Sequence, residues 1–180
     1  MSTEFYDRQQ WIAPDGSGRL LVTQGKRVIP PSGHYSAGQL FGDFLNANDL
    51  PTITAQLRQR SSRGSTAGAM RSFATVWQGQ VVPPALQRLL LLFLAQEHDL
   101  VVDGPIVDRL GRSGIALSHV EPVQHIRRRL VFDERTGMLL ASQNITEDGT
   151  SEGVAIPTIT NCTMWLDTGY STNTGTAPSM

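Results

Sequence analysis

The sequence predicts an α+β domain: a strongly curved antiparallel sheet, a half-barrel, built from an N-terminal hairpin, a helical insertion and a C-terminal meander. Three observations predict it. Apolar residues recur at helical spacing between positions 37 and 98. The period switches to two from Leu100 onward. The separators between the later strand-like runs are too short for crossover helices, which excludes a parallel α/β arrangement. A chain of 180 residues buries about 70% of its unfolded surface in one core, so positions 1 to 168 are read as a single domain.

Gln10 to Pro14 and Arg19 to Val28 are strand-like, and Asp15-Gly16-Ser17-Gly18 between them supplies the tight reversal of a hairpin. Pro30-Pro31-Ser32-Gly33 reads as a break. Ser36 and Gln39 have capping-box spacing, and Leu40, Phe41, Phe44 and Leu45 share a face, predicting a helix over 37 to 47. A second helix is predicted from Thr52, as N-cap, to Gln59, followed by a Ser/Arg/Gly linker at 61 to 65. A third covers 66 to 79, with Met70, Phe73, Val76 and Trp77 in register. Pro83-Pro84 opens a fourth, since proline lacks only an amide that the first turn leaves unpaired. Leu86, Leu89, Leu90, Leu92, Phe93 and Leu94 cover more than half of it, so it is expected at the core. Strands follow over 100 to 110, 114 to 121, 124 to 132, 138 to 147 and 154 to 167, joined by short turns. The polar segment 169 to 180 is expected to be disordered.

Charge narrows the function classes. Fifteen basic against sixteen acidic residues give a net charge of −1, with no surplus to attract nucleic acid or an anionic membrane. The longest apolar run, Leu89 to Ala95, is seven residues, against about 20 for a bilayer span. No integral membrane segment is therefore expected, and the N-terminus has no secretory h-region. The chain reads as soluble and cytoplasmic, or extracytoplasmic if a membrane anchor precedes it. The single cysteine, Cys162, has no partner for a disulfide and reads as a buried strand residue.

The runs WIAPDGSGR, LPTITAQLRQ, VPPALQRLLLLFLAQ and DGPIVDRLGRSGIALS, with RRRLVFDERTGMLLA, resemble an actinobacterial family of largely uncharacterised, usually membrane-anchored proteins whose extracytoplasmic part is LolA-like. The resemblance spans about positions 8 to 147. It implies helices lying inside a curved antiparallel sheet and, by analogy, binding of a lipid or other apolar ligand. The N-terminal transmembrane segment of typical members is not part of this sequence.

No phosphate loop, dinucleotide fingerprint or nucleophile elbow occurs. The histidines, His34, His98, His119 and His125, are dispersed, so neither a metal site nor any cofactor is expected. Asp133-Glu134 is a turn, whose adjacent acids diverge. The expected partner is an apolar small molecule, lipid-like or polyketide-like, held in a hydrophobic cavity between sheet and helices. Phe73, Trp77, Phe93, Leu130, Phe132 and Trp165 are the candidate walls. Strand alternation sends Arg128 to the same face as Leu130 and Phe132, where it needs a carboxylate partner or an anionic ligand. The alternative is a cofactor-independent cyclase or isomerase of specialised metabolism, with Arg128, His119 and Asp108 steering proton transfer. His119 and His125 flank a turn and read as exposed hairpin-end residues, with a proton-transfer pair facing across the hairpin as the alternative.

Overall fold

A computed structural model describes residues 3–40, 44–61, 64–147 and 157–176. The α+β class is borne out: among the described residues three helices accompany two antiparallel sheets of three and five strands, neither closed into a barrel. The described residues fall into two compact units.

The first unit comprises 1–44, 79–81 and 167–180. Its sheet is β1 (Asp7–Ile12), β2 (Gly18–Gln24) and β3 (Arg27–Tyr35), paired in that order. The predicted hairpin therefore gains a strand, and the run 19 to 28 is two strands split by a turn at Gly25 (φ 60°). Pro30-Pro31-Ser32-Gly33 lies inside β3 rather than breaking the chain. Its prolines occupy a bulge joined by a cis bond, and Ser32 Oγ accepts from the Val22 amide at 2.8 Å, giving that donor a side-chain acceptor where the bulge interrupts the ladder. The helix expected over 37 to 47 is absent among the described residues. The Ser36 amide does donate to Gln39 Oε1, but the amides of Gly38 and Leu40 are taken by the carbonyls of Asp15 and Gly16. Positions 41 to 43 lie outside the described residues. The segment expected to be disordered is described to Thr176, whose carbonyl accepts from Trp11 Nε1 at 3.0 Å.

The second unit, 45–78 and 82–166, holds the larger core. Helix α1 (Leu50–Arg60) starts earlier than predicted: its N-cap is Asp49, whose Oδ1 accepts from the Thr52 amide at 2.9 Å. Ser65 precedes α2 (Thr66–Gly79) and its hydroxyl accepts from the Gly68 amide. Pro83 and Pro84 open α3 (Pro84–Leu94) as predicted. Its burial is one-sided, however: Leu86, Leu90, Phe93 and Leu94 are buried, whereas Leu92 is 38% exposed.

The meander runs β4 (Val101–Val107), β5 (Ser113–Glu121), β6 (Ile126–Asp133), β7 (Leu139–Thr146) and β8 (Thr158–Met164), each antiparallel to its neighbour. Bulges at Asp103, Leu140 and Thr160 interrupt the ladders, and bulges bend and twist the strands that carry them. The inner face carries Leu117, Leu130, Phe132 and Leu139, which pack with α1, α2 and α3 in one cluster. On the outer face Val131, Leu140 and Ala141 form a smaller cluster with Ile106 and Met164. No helix is long and apolar enough to cross a membrane among the described residues.

Candidate functional site

The six candidate wall residues all meet in the helix–sheet core of the second unit. Phe73, Phe93 and Leu130 are fully buried, Phe132 and Trp77 nearly so, and Trp165 is half-buried against them. The Phe73 ring stands edge-on to Phe132 at 5.6 Å and tilted to Trp77 at 6.4 Å, geometries that aromatic quadrupoles favour. Trp165 Nε1 donates to the Trp77 carbonyl at 3.0 Å, but Trp77 Nε1 is buried and has no partner among the described residues. Such an orphaned donor costs about 1–3 kcal/mol, and the residues around it are apolar.

Of the three candidate catalytic residues, two come together. His119 and Arg128 are directly opposed on β5 and β6, on the inner face. His119 Nδ1 lies 3.3 Å from the Asp99 carbonyl oxygen; a carbonyl only accepts, so this contact favours the proton on Nδ1 and leaves Nε2 to accept. The partner of His119 is thus Arg128 rather than His125, which sits in the turn at φ 50°. Arg128 is held by Glu121, to which its Nε donates, and by Asn144 Oδ1, 2.9 Å from its Nη1. Glu121 Oε1 also faces Arg71 of α2, at 3.6 Å from Nη1. Arg71 and Glu121 escape a reading of the sequence, because no local spacing links a helix at 71 to a strand end at 121.

Asp108 is elsewhere. It follows the last residue of β4, opposite the start of β5, and six residues of strand separate that point from His119, about 20 Å at ~3.4 Å per residue. Its side chain is fully buried and ion-paired with Arg112 at 2.6 Å. Burial pushes the Asp108 carboxyl up, but bonds from the Arg112 amide and guanidinium and from the Leu110 amide outweigh it and hold the group below its ordinary value. Arg112 also donates to the carbonyls of Trp165 and Leu140, at 2.6 and 3.0 Å. Asp108 and Arg112 are therefore a clasp on the strand ends, remote from His119.

The outer face holds a second polar group. Asp103 accepts from Ser118 Oγ at 2.8 Å and Arg129 Nε at 3.3 Å, with Arg127 Nη1 at 3.7 Å; Arg127 is bonded in turn to Glu147. Two cations and two carboxylates balance there. No group of three His, Cys, Asp or Glu side chains fit to hold a metal occurs among the described residues. Searches against protein families, curated proteins and solved structures return no match to the chain.

Proposed function

We propose that the protein is a non-enzymatic binding module that holds a lipid-like or polyketide-like small molecule between its helices and the inner face of the five-stranded meander. The observation that carries this reading is the buried, unpartnered Trp77 N–H within an apolar layer. A ligand oxygen would satisfy it, and apolar sites with a few placed polar groups suit such ligands. The resemblance to LolA-like domains supports the same class of occupant. Because Phe73, Phe93 and Leu130 are fully buried, entry of the ligand goes with a shift of the helices on the sheet.

Native mass spectrometry of the purified protein tests this directly. A co-purifying apolar compound is expected, together with a rise in unfolding temperature on adding long-chain lipids or polyketides. Absence of both would sink the proposal. A cofactor-independent cyclase or isomerase draws on one observation, the opposition of His119 and Arg128; it requires that a trapped compound be turned over and that His119→Ala and Arg128→Ala stop turnover.

A further inference from the structure

Two guanidiniums converge on one carboxylate where α2 approaches the ends of β5 and β6. Arg128 Nε and Arg71 Nη1 both face Glu121 Oε1. The groups are partly withdrawn from water, with side-chain exposures of 14% for Arg128, 16% for Glu121 and 46% for Arg71. The other ion-paired arginines of this unit are matched. Arg58 has Glu97, Arg112 has Asp108, and Arg127 with Arg129 has Asp103 and Glu147. Asp103 likewise faces both Arg127 and Arg129, but Arg127 has Glu147 as a second anion; among the described ion pairs only Glu121 serves two cations neither of which has another carboxylate, leaving one positive charge in excess.

Uncompensated charge away from bulk water is unfavourable, and a guanidinium pair with one face occupied is suited to a second set of anionic oxygens. Among the described residues the surroundings supply neutral polar groups and no further carboxylate bonded to either arginine: His119 opposes Arg128, Asn144 is bonded to it, and Asn161 opposes Asn144 across to β8. Two residues along the same face of β6 lies Leu130, in the apolar cluster with Phe73 and Phe132. The positive excess thus borders the greasy layer.

We infer that Arg71 and Arg128 form the anion subsite of an amphipathic ligand, taking its carboxylate or phosphate while its apolar part lies against Leu130 and Phe73. This rests on the proposed binding function and specifies the class of ligand. The head group approaches the guanidinium faces that Glu121 leaves, with the Asn144 and Asn161 side chains at its flank.

The test titrates the full chain with dodecanoate, dodecanol, acetate and inorganic phosphate. Dodecanoate is expected to bind about tenfold more tightly than dodecanol, the worth of a charge-assisted hydrogen bond. Arg71→Gln and Arg128→Gln should each lower dodecanoate affinity toward that of dodecanol, and leave dodecanol unchanged. Glu121→Gln should tighten dodecanoate binding, which a purely structural role for Glu121 would not do. Thermal unfolding checks each variant; if Arg128→Gln fails to fold, the half-exposed Arg71 carries the comparison. Equal affinity for acid and alcohol in the wild type overturns the subsite and leaves the binding function standing. Failure of both dodecyl compounds overturns the binding function and the subsite with it. Acetate or phosphate binding as tightly as dodecanoate assigns the site to free anions and overturns its link to the apolar layer.

Discussion

Trp165 donates its indole N–H to the main-chain carbonyl of Trp77, 3.0 Å away, tying the end of β8 to the last turns of α2. The two tryptophans are consequently not equivalent, since one indole N–H is bonded and the other has no partner among the described residues. Trp165→Phe should cost about 1–2 kcal/mol beyond its lost packing, because it strands a carbonyl. In Trp77→Phe the removal of an orphaned donor offsets part of the lost contact area, so its destabilisation should be smaller by about 1 kcal/mol. Urea unfolding of the two variants checks the difference; equal losses would mean that Trp77 Nε1 has a partner.

Asp108→Asn removes the charge that Arg112 faces. Breaking a buried pair while leaving its cation is expected to cost roughly 2–4 kcal/mol, toward the lower end because Arg112 retains some solvent contact. The folded-state value of Asp108 is depressed below the ordinary 3.8, so its contribution is fully present above that value. It is lost as pH falls through the depressed folded value. The stability gap between wild type and Asp108→Asn should be flat from neutral pH down to about pH 5 and close in stronger acid. A gap that closes near pH 7 would refute the assignment.

Helix α3 gives a paired test of one-sided burial. Phe93→Ala, on its buried side, should cost about 3–5 kcal/mol, whereas Leu92→Ala, on its exposed side, should stay within about 0.5–1 kcal/mol. Chemical denaturation of both variants reads the contrast, and a large loss for Leu92 would place that residue in a contact that the fold does not contain.

Asp49→Ala should destabilise by about 1 kcal/mol through loss of the bond to the Thr52 amide, with Asp49→Asn close to wild type. If Thr52 were the cap, Thr52→Ala would carry the larger loss in the same unfolding measurement.

The meander was legible because its signals are local: alternation in 126 to 132 assigns Arg128, Leu130 and Phe132 to one face, and the register of β5 and β6 has them there. The prolines of α3 act within a single turn and were equally readable. Where tertiary bonds compete with local ones the sequence misleads. The Ser36 amide does bond Gln39 Oε1, one half of a capping box, yet no helix follows among the described residues, since the carbonyls of Asp15 and Gly16, far back in the chain, claim the amides of Gly38 and Leu40. Ser32 keeps β3 intact across two prolines by reaching to Val22, a rescue invisible from the segment itself. The candidate walls were recognisable as apolar periodic positions, but their spacing does not distinguish a ligand surface from a closed core. Arg71 and Glu121 meet only through packing of α2 on the sheet.

Strand β4 forms one edge of the five-stranded sheet and exposes Val101, Val102 and Val107. Such a valine-rich border would ordinarily invite another chain to add a sixth strand. The bulge at Asp103, the positive φ of 95° at Gly104 and the missing amide of Pro105 break the row of hydrogen-bonding groups in its middle. The greasy border is thus denied a backbone template, and aggregation by sheet extension is obstructed on this side even though its side chains favour it.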